Sequence, residues 1–252
     1  MDKKDLIIQI KQKKEFSQLP DSIVEKIAKS CDYDVKESRA LLRKYFGVFL
    51  INKVVKGRSS EVLKSHTSSK KRDYNIFYEK IFENLEKNKF KSIIDLGAGC
   101  NGFSYSILNG FFPSIKYAAL EASGQLVDNM NFYFKENNFN SACAVHKDLF
   151  ELDSVLEIIN LQDSPKIIFM FQLVDALEKI ERDFSKKLLL EIRNSLLKED
   201  RVIITFPIES LSGRTQFLVQ RKWLLEFINE EFELIKDFKL FGERILIFKN
   251  KD

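Results

Sequence analysis

Asp95, Glu121, Asp148 and Gln172 stand at or just after the ends of four strand-like apolar runs: Ser92–Leu96, Lys116–Leu120, Ala142–His146 and Lys166–Phe171. A glycine-rich turn, Gly97-Ala98-Gly99-Cys100-Asn101-Gly102, follows the first run. Glycines let a backbone approach a ligand closely, and the helix after such a turn presents a partly positive N-terminus. In open α/β sheets, ligands lie across the carboxyl ends of the strands, where strand order reverses. Acids and an amide collected there suit a nucleoside. Glu121, with Ala122 beside it, can accept both ribose hydroxyls. Asp148 can accept from an adenine amino group while Leu149 covers the ring, and Gln172 can meet the far end of the ligand or an incoming substrate.

Gly97-x-Gly99-x-x-Gly102 also fits the dinucleotide fingerprint, with Glu121 near the offset of its ribose-binding acid. Asp95 separates the two ligand classes. A dinucleotide lays its diphosphate over the glycine turn, and a carboxylate two residues before that turn repels it. S-adenosylmethionine brings an ammonium and a sulfonium, which the carboxylate attracts. At a few ångströms that change of sign is worth about 1–4 kcal/mol, and it favours S-adenosylmethionine. A glycine turn without a ligand is the bland alternative, and an acid after the second run argues against it.

The elements that must position these residues alternate. Helix-like stretches at Asn101–Asn109, Gly124–Asn137, Ser154–Asn160 and about Asp175–Leu197 separate the runs, with a fifth strand at Arg201–Phe206. A helix near Gln216–Glu230 follows, and then two strand-like runs, Phe232–Leu240 and Arg244–Phe248, joined by Phe241-Gly242-Glu243. This order predicts an α/β, mostly parallel seven-stranded sheet ending in an antiparallel hairpin, the class I methyltransferase (Rossmann-like) arrangement. Before it, stripes at Asp5–Lys14, after Pro20 with Asp21 or Ser22 as a cap, and from Asp34 to about Lys56 predict a small helical domain. A further helix is predicted from about Asp73 to Lys89. The predicted boundaries are 1–65 for the helical domain, 66–90 for a connecting segment and helix, and 91–252 for the methyltransferase domain.

The charge is uneven. Residues 1–90 hold 21 basic and 13 acidic residues, whereas the remainder holds 20 and 24. From Arg39 to Arg72 there are ten basic residues and one acid, Glu61. Such an excess points to a polyanion, most simply RNA, gripped by Arg39, Arg43, Lys44, Lys53, Lys56, Lys70 and Lys71. A solvated lysine-rich surface is the alternative. Arg214, Arg221 and Lys222, beyond the fifth strand, extend the RNA-binding set to the expected methyl-transfer mouth. Three scattered cysteines give neither metal spacing nor a disulfide framework. The charged start Met1-Asp2-Lys3-Lys4 and the lack of a long apolar run predict a cytoplasmic, membrane-free chain, expected as a monomer.

After the fourth strand stands Phe171-Gln172-Leu173-Val174-Asp175. The Asn/Asp, proline and aromatic pattern of exocyclic-amine methylases is absent from this stretch, as is a cysteine nucleophile. A target with its own lone pair, such as guanine N7, needs no general base, so no catalytic residue is expected and alignment supplies most of the rate.

His66-Thr67-Ser68-Ser69-Lys70-Lys71-Arg72 resembles the His-x-Ser-Thr-x-x-Arg segment of the aminoglycoside-resistance 16S ribosomal RNA (guanine-N7) methyltransferases. Asp95-Leu96-Gly97-Ala98-Gly99-Cys100-Asn101 is similar to that family's Asp-Leu-Gly-Cys-Gly-x-Asn, and Ala176-Leu177-Glu178 to its Cys-Leu-Glu. Phe206-Pro207-Ile208-Glu209-Ser210-Leu211-Ser212-Gly213-Arg214 is close to its Phe-Pro-x-x-Ser-Leu-x-Gly-Lys/Arg. The resemblance runs over about residues 15–250. It implies S-adenosylmethionine as cofactor, with Arg72 on its carboxylate. It further implies methylation of guanine N7 in the decoding site, and docking of the helical domain on the assembled small ribosomal subunit. Departures are Gly102 for proline, Glu121 for Asp, Ser69 for Thr, Gln172 for a frequent Lys and Asp175 for Pro. The alternatives are methylation of another RNA site or a small molecule, and a non-catalytic RNA-binding protein that keeps the cofactor fold.

Overall fold

Apolar runs that a parallel sheet must bury on both faces become its central strands. The structure is a computed structural model describing residues 2–46, 57–65, 70–113, 115–208 and 221–251. Strands β1 (Ser92–Leu96), β2 (Lys116–Glu121), β3 (Ala142–His146), β4 (Lys166–Phe171) and β5 (Arg201–Pro207) pair in parallel. Strands β6 (Phe232–Leu240) and β7 (Glu243–Asn250) form an antiparallel hairpin, and β7 inserts beside β5. The order β3-β2-β1-β4-β5-β7-β6 is that of the class I methyltransferase sheet, as the sequence predicts. It reverses between β1 and β4, and in open α/β sheets ligands lie at such a reversal.

Eleven α-helices are described. They are α1 (Lys3–Lys11), α2 (Asp21–Ser30), α3 (Val35–Phe46), α4 (Val62–Ser65), α5 (Tyr74–Ile81), α6 (Tyr105–Phe111), α7 (Gly124–Glu136), α8 (Leu152–Asn160), α9 (Val174–Ile180), α10 (Phe184–Ser195) and α11 (Lys222–Glu231). Helices α5–α7 cover one face of the sheet through a core rich in aromatic rings, including Phe77, Tyr78, Phe82, Phe103, Tyr117 and Phe169. Helices α8–α11 cover the other through Val155, Leu177, Leu188, Ile192 and Ile228. Among the described residues no helix is long and apolar enough to cross a membrane.

Helices α1–α3 enclose a core of their own, built on Ile10, Phe16, Val24, Ile27 and Leu42, and Ala122, Phe150 and Ile180 pack against it. This helical part rests on the carboxyl end of the sheet. The Gly124 N–H donates to the Gln18 carbonyl at 3.2 Å, Lys26 Nζ to Glu181 at 2.6 Å, and Gln125 Nε2 to the Lys14 carbonyl at 2.9 Å.

Three helix expectations are corrected. The helix from Asp73 ends at Ile81, because Asn84 takes a left-handed conformation (φ 66°). The helix expected over 175–197 is two, α9 and α10. Asp183 turns left-handed (φ 62°) and the Glu178 carboxylate accepts from the Asp183 and Ser185 N–H groups at 2.7 and 2.9 Å, capping α10. Neither Asp21 nor Ser22 caps α2, since Asp21 pairs with Lys11 and Ser22 donates to Asp148. By contrast, the Asp34 side chain does accept from the Glu37 N–H at 2.7 Å at the start of α3. The continuation of that helix expected to about Lys56 lies outside the described residues.

Candidate functional site

At the end of β1 the chain turns through Gly97 and Gly99, at φ 62° and 53°. That region favours glycine, and a Cβ on Gly97 would stand 2.6 Å from Leu173 Cδ1. The Ala98 N–H donates to the Leu120 carbonyl at 3.1 Å. Glu121, at the end of β2, is buried and fixes the rest of the turn. Its Oε2 accepts from the Gly99 N–H and its Oε1 from the Ser123 N–H, both at 2.8 Å. Burial raises its carboxyl above the usual value, and these N–H bonds oppose the rise. An amide that a diphosphate would use is thereby already turned to a carboxylate. Gly102 stands where the resemblance has proline. A Cβ there would run into Met130 Sδ of α7, so a proline would require that side chain to shift.

Asp95 is 1% exposed. Its Oδ2 accepts from Tyr117 Oη at 2.6 Å and Asn101 Nδ2 at 2.7 Å. Its Oδ1 is buried with no partner among the described residues. Burial pushes this carboxyl up to about 6, against the two hydrogen bonds and the nearby Arg72 charge. Leaving a buried acceptor unmatched is costly. A donor carried by a ligand, above all an ammonium, meets that need, so the residues present fit S-adenosylmethionine.

Asp148 follows β3 and is buried, linked to Glu121 through the Lys147 N–H on the Glu121 carbonyl at 3.0 Å. Its Oδ1 accepts from the Phe150 N–H at 2.9 Å, and its Oδ2 accepts from Ser22 Oγ of the helical part. Leu149 lies in the core among Ile94, Leu96 and Leu120. The Ala122 carbonyl meets His146 Nε2 at 2.9 Å. Gln172, left-handed at φ 53°, donates its N–H to the Thr205 carbonyl at 2.8 Å and contacts Thr205 Oγ1 at 3.2 Å.

Arg72 is buried at the ends of β4 and β5. Its Nε and Nη2 donate to Glu243 Oε1 and Oε2, each at 2.6 Å, and both side chains are 4% exposed. Burial works against its charge, but Glu243 and Tyr74 together outweigh this and hold the guanidinium above its ordinary range. Glu243 was not among the residues singled out from sequence. An acid opening a terminal strand carries no local signal, and its partner lies 171 positions away.

The basic residues separate. Lys44, Lys70, Lys71 and Lys222 are exposed. Arg43 pairs with Glu15 at 2.6 Å over the Phe16 ring, and Arg39 donates to the Gln9 and Ile10 carbonyls at the end of α1. Arg221, expected at the RNA interface, is engaged within the chain. Its fork grips Asp175, with Nε on Oδ1 at 2.7 Å, and its Nη1 donates to the Pro207 carbonyl at 3.0 Å. Asp175, which stands where the resemblance has proline, thus ties α9 to the start of α11. Lys53, Lys56, Arg214 and the His66–Ser69 part of the first motif lie outside the described residues.

No protein-family model matches this chain, and no curated protein matches it. Solved structures do. The 16S rRNA methylase RmtB superposes with a TM-score of 0.77 at 17% identity, over 100% of this chain and 99% of that one. The 16S rRNA methyltransferase RmtF, in complex with S-adenosyl-L-homocysteine, gives 0.70 at 15% identity over 100% of both chains. The 16S rRNA methylase ArmA gives 0.51 at 18% identity, over 84% of this chain and 97% of that one. At these identities the likeness establishes the fold. With RmtB and RmtF it extends over the helical part as well as the sheet.

Proposed function

We propose that this chain is an S-adenosylmethionine-dependent methyltransferase of 16S ribosomal RNA that acts on guanine N7 in the decoding site of the small subunit. Aminoglycoside resistance is the expected consequence. The observation that carries the reading is the buried, unmatched Asp95 Oδ1 beside a glycine turn held by Glu121, in a fold shared over its full length with 16S rRNA methylases. Asp95 would hold the ligand's ammonium, Arg72 its carboxylate, Glu121 the ribose hydroxyls and Asp148 the adenine amino group. The bound cofactor supplies an electrophilic methyl group. Guanine N7 offers its lone pair without losing a proton, so these residues have only to align donor and acceptor and exclude water. Gln172, at the end of β4, borders the mouth where the base would enter.

Small subunits incubated with the chain and S-adenosylmethionine should gain one methyl group. Mass mapping should place it on a decoding-site guanine. A methyl group elsewhere, or none despite cofactor binding, would replace this reading with another acceptor or with a binding protein. We propose that Lys44, Lys70 and Lys71, all exposed, supply phosphate contacts. RNA affinity should then fall steeply with salt. Changing each lysine to Ala should flatten the log–log slope by about one unit per contact while leaving cofactor affinity unchanged. An unaltered slope in the triple variant would remove this surface from the interface.

A further inference from the structure

Arg72 is held by more than one partner. Glu243 takes the Nε–Nη2 edge of its fork, and Nη2 also reaches Thr205 Oγ1 at 3.4 Å. Glu243 is itself fixed, because Thr205 Oγ1 donates to its Oε2 at 2.6 Å and the β5–β7 register sets it opposite Pro207. Thr205 in turn accepts from the Gln172 N–H. The guanidinium carbon lies 4.7 Å from the Phe77 ring centre and 5.3 Å from that of Phe171. One carboxylate and one hydroxyl thus lock the plane of Arg72 among aromatic rings at the carboxyl ends of β4 and β5.

We propose that Glu243 is a positioning residue for carboxylate recognition. It orients Arg72 so that the end of the fork carrying Nη1, which takes no part in the Glu243 bonds, meets the amino-acid carboxylate of S-adenosylmethionine. The inference rests on the cofactor reading above. Bidentate geometry needs a fixed guanidinium plane, and without Glu243 the 3.4 Å contact to Thr205 Oγ1 is a weak means of fixing it. Displacement of Glu243 by the ligand would strand a buried carboxylate, a costly outcome. The ligand therefore adds to the pair and does not replace it. Its ammonium beside Asp95 offsets the negative charge that its carboxylate brings.

The test titrates the full chain calorimetrically with S-adenosylhomocysteine and, separately, with 5′-methylthioadenosine, which lacks the amino-acid end. Glu243→Gln should weaken S-adenosylhomocysteine at least about tenfold and change 5′-methylthioadenosine by less than about twofold, tenfold being about 1.4 kcal/mol. Arg72→Lys should show the same selectivity, and the double variant should lose little more than either alone. Unchanged or tighter S-adenosylhomocysteine binding by Glu243→Gln would make Glu243 a competitor or a bystander and overturn the proposal. Equal loss of both probes would reduce it to a structural residue. If Glu243→Gln does not fold, Thr205→Val, which removes the hydroxyl fixing Glu243, should show the selectivity in weaker form. Its absence there overturns the proposal. A wild-type chain that binds neither probe refutes the cofactor reading itself, a result distinct from all of these.

Discussion

Arg72→Ala is expected to lower the unfolding free energy by about 3–5 kcal/mol, the usual cost of removing one partner of a buried ion pair. The pair is buried on both sides, with each side chain 4% exposed, so solvent screening offers little relief. The variant leaves the Glu243 carboxylate with Thr205 Oγ1 as its one remaining side-chain donor among the bonds described. It also opens a cavity between Phe77 and Phe171, whose rings now flank the guanidinium. Replacing both charges together should cost much less, because the desolvation penalty of the pair disappears with its attraction. Urea unfolding at pH 7 of wild type, Arg72→Ala and Arg72→Met with Glu243→Leu tests this. The single variant should shift the midpoint strongly with little change in slope, and the double should recover most of the shift. A loss below about 1 kcal/mol in Arg72→Ala, the scale of an exposed pair, would mean that Arg72 does not bind Glu243 in solution.

Local signals in the sequence covered the strands and the turn between the first two. Ser92–Leu96 is built on Ile93, Ile94 and Leu96 and is followed by glycines, which leaves a buried parallel strand and a left-handed turn as the consistent choice. Asp95 and Glu121 were legible for the same reason, since each is an acid at the end of such a run. The partners that define the site electrostatically were not legible. Glu243 belongs to a hairpin strand whose placement beside β5 depends on the whole sheet closing. Ser22 reads as a helix cap, yet tertiary packing turns it to Asp148. The pairing of Asp175 with Arg221 likewise spans 46 positions. The split of the helix after β4 has a local cause in Glu178, but its capping of a following helix takes effect only once Asp183 adopts a left-handed conformation. Short-range periodicity thus reaches the scaffold, while the ion pairs that tune it depend on contacts set by the fold.

Asp95→Asn is expected to make the chain more stable and a poorer binder. Burial pushes the folded Asp95 carboxyl from 3.8 up to about 6. The folded chain therefore holds that proton more tightly than the unfolded chain. The stability contributed by this group is full below about pH 4, falls as pH rises toward about 6, and stays low above it. Two units correspond to about 3 kcal/mol, which a neutral amide of the same shape does not lose. The amide NH2 that takes the place of Oδ1 is itself unmatched, at a cost of about 1–3 kcal/mol, so at pH 7 the variant should be more stable by at most about 2 kcal/mol, and its stability should not decline between pH 4 and 6 for this reason. Its carbonyl can still accept from Tyr117 and Asn101, the donors on Asp95 Oδ2. The binding loss has a separate origin: an ammonium placed at Oδ1 would lose a charge-assisted hydrogen bond worth about 1.5–3 kcal/mol. S-adenosylhomocysteine affinity should fall by about tenfold to a hundredfold. Wild-type affinity should rise with pH up to about 6, as the carboxylate forms, and then level, whereas the variant should lack that rise. Thermal unfolding at pH 5 and 7, with calorimetry at the same pH values, separates the two effects. A variant that is destabilised at pH 7 and binds as well as wild type would show Asp95 to be an internal acceptor for Tyr117 and Asn101, and would remove it from the ligand site.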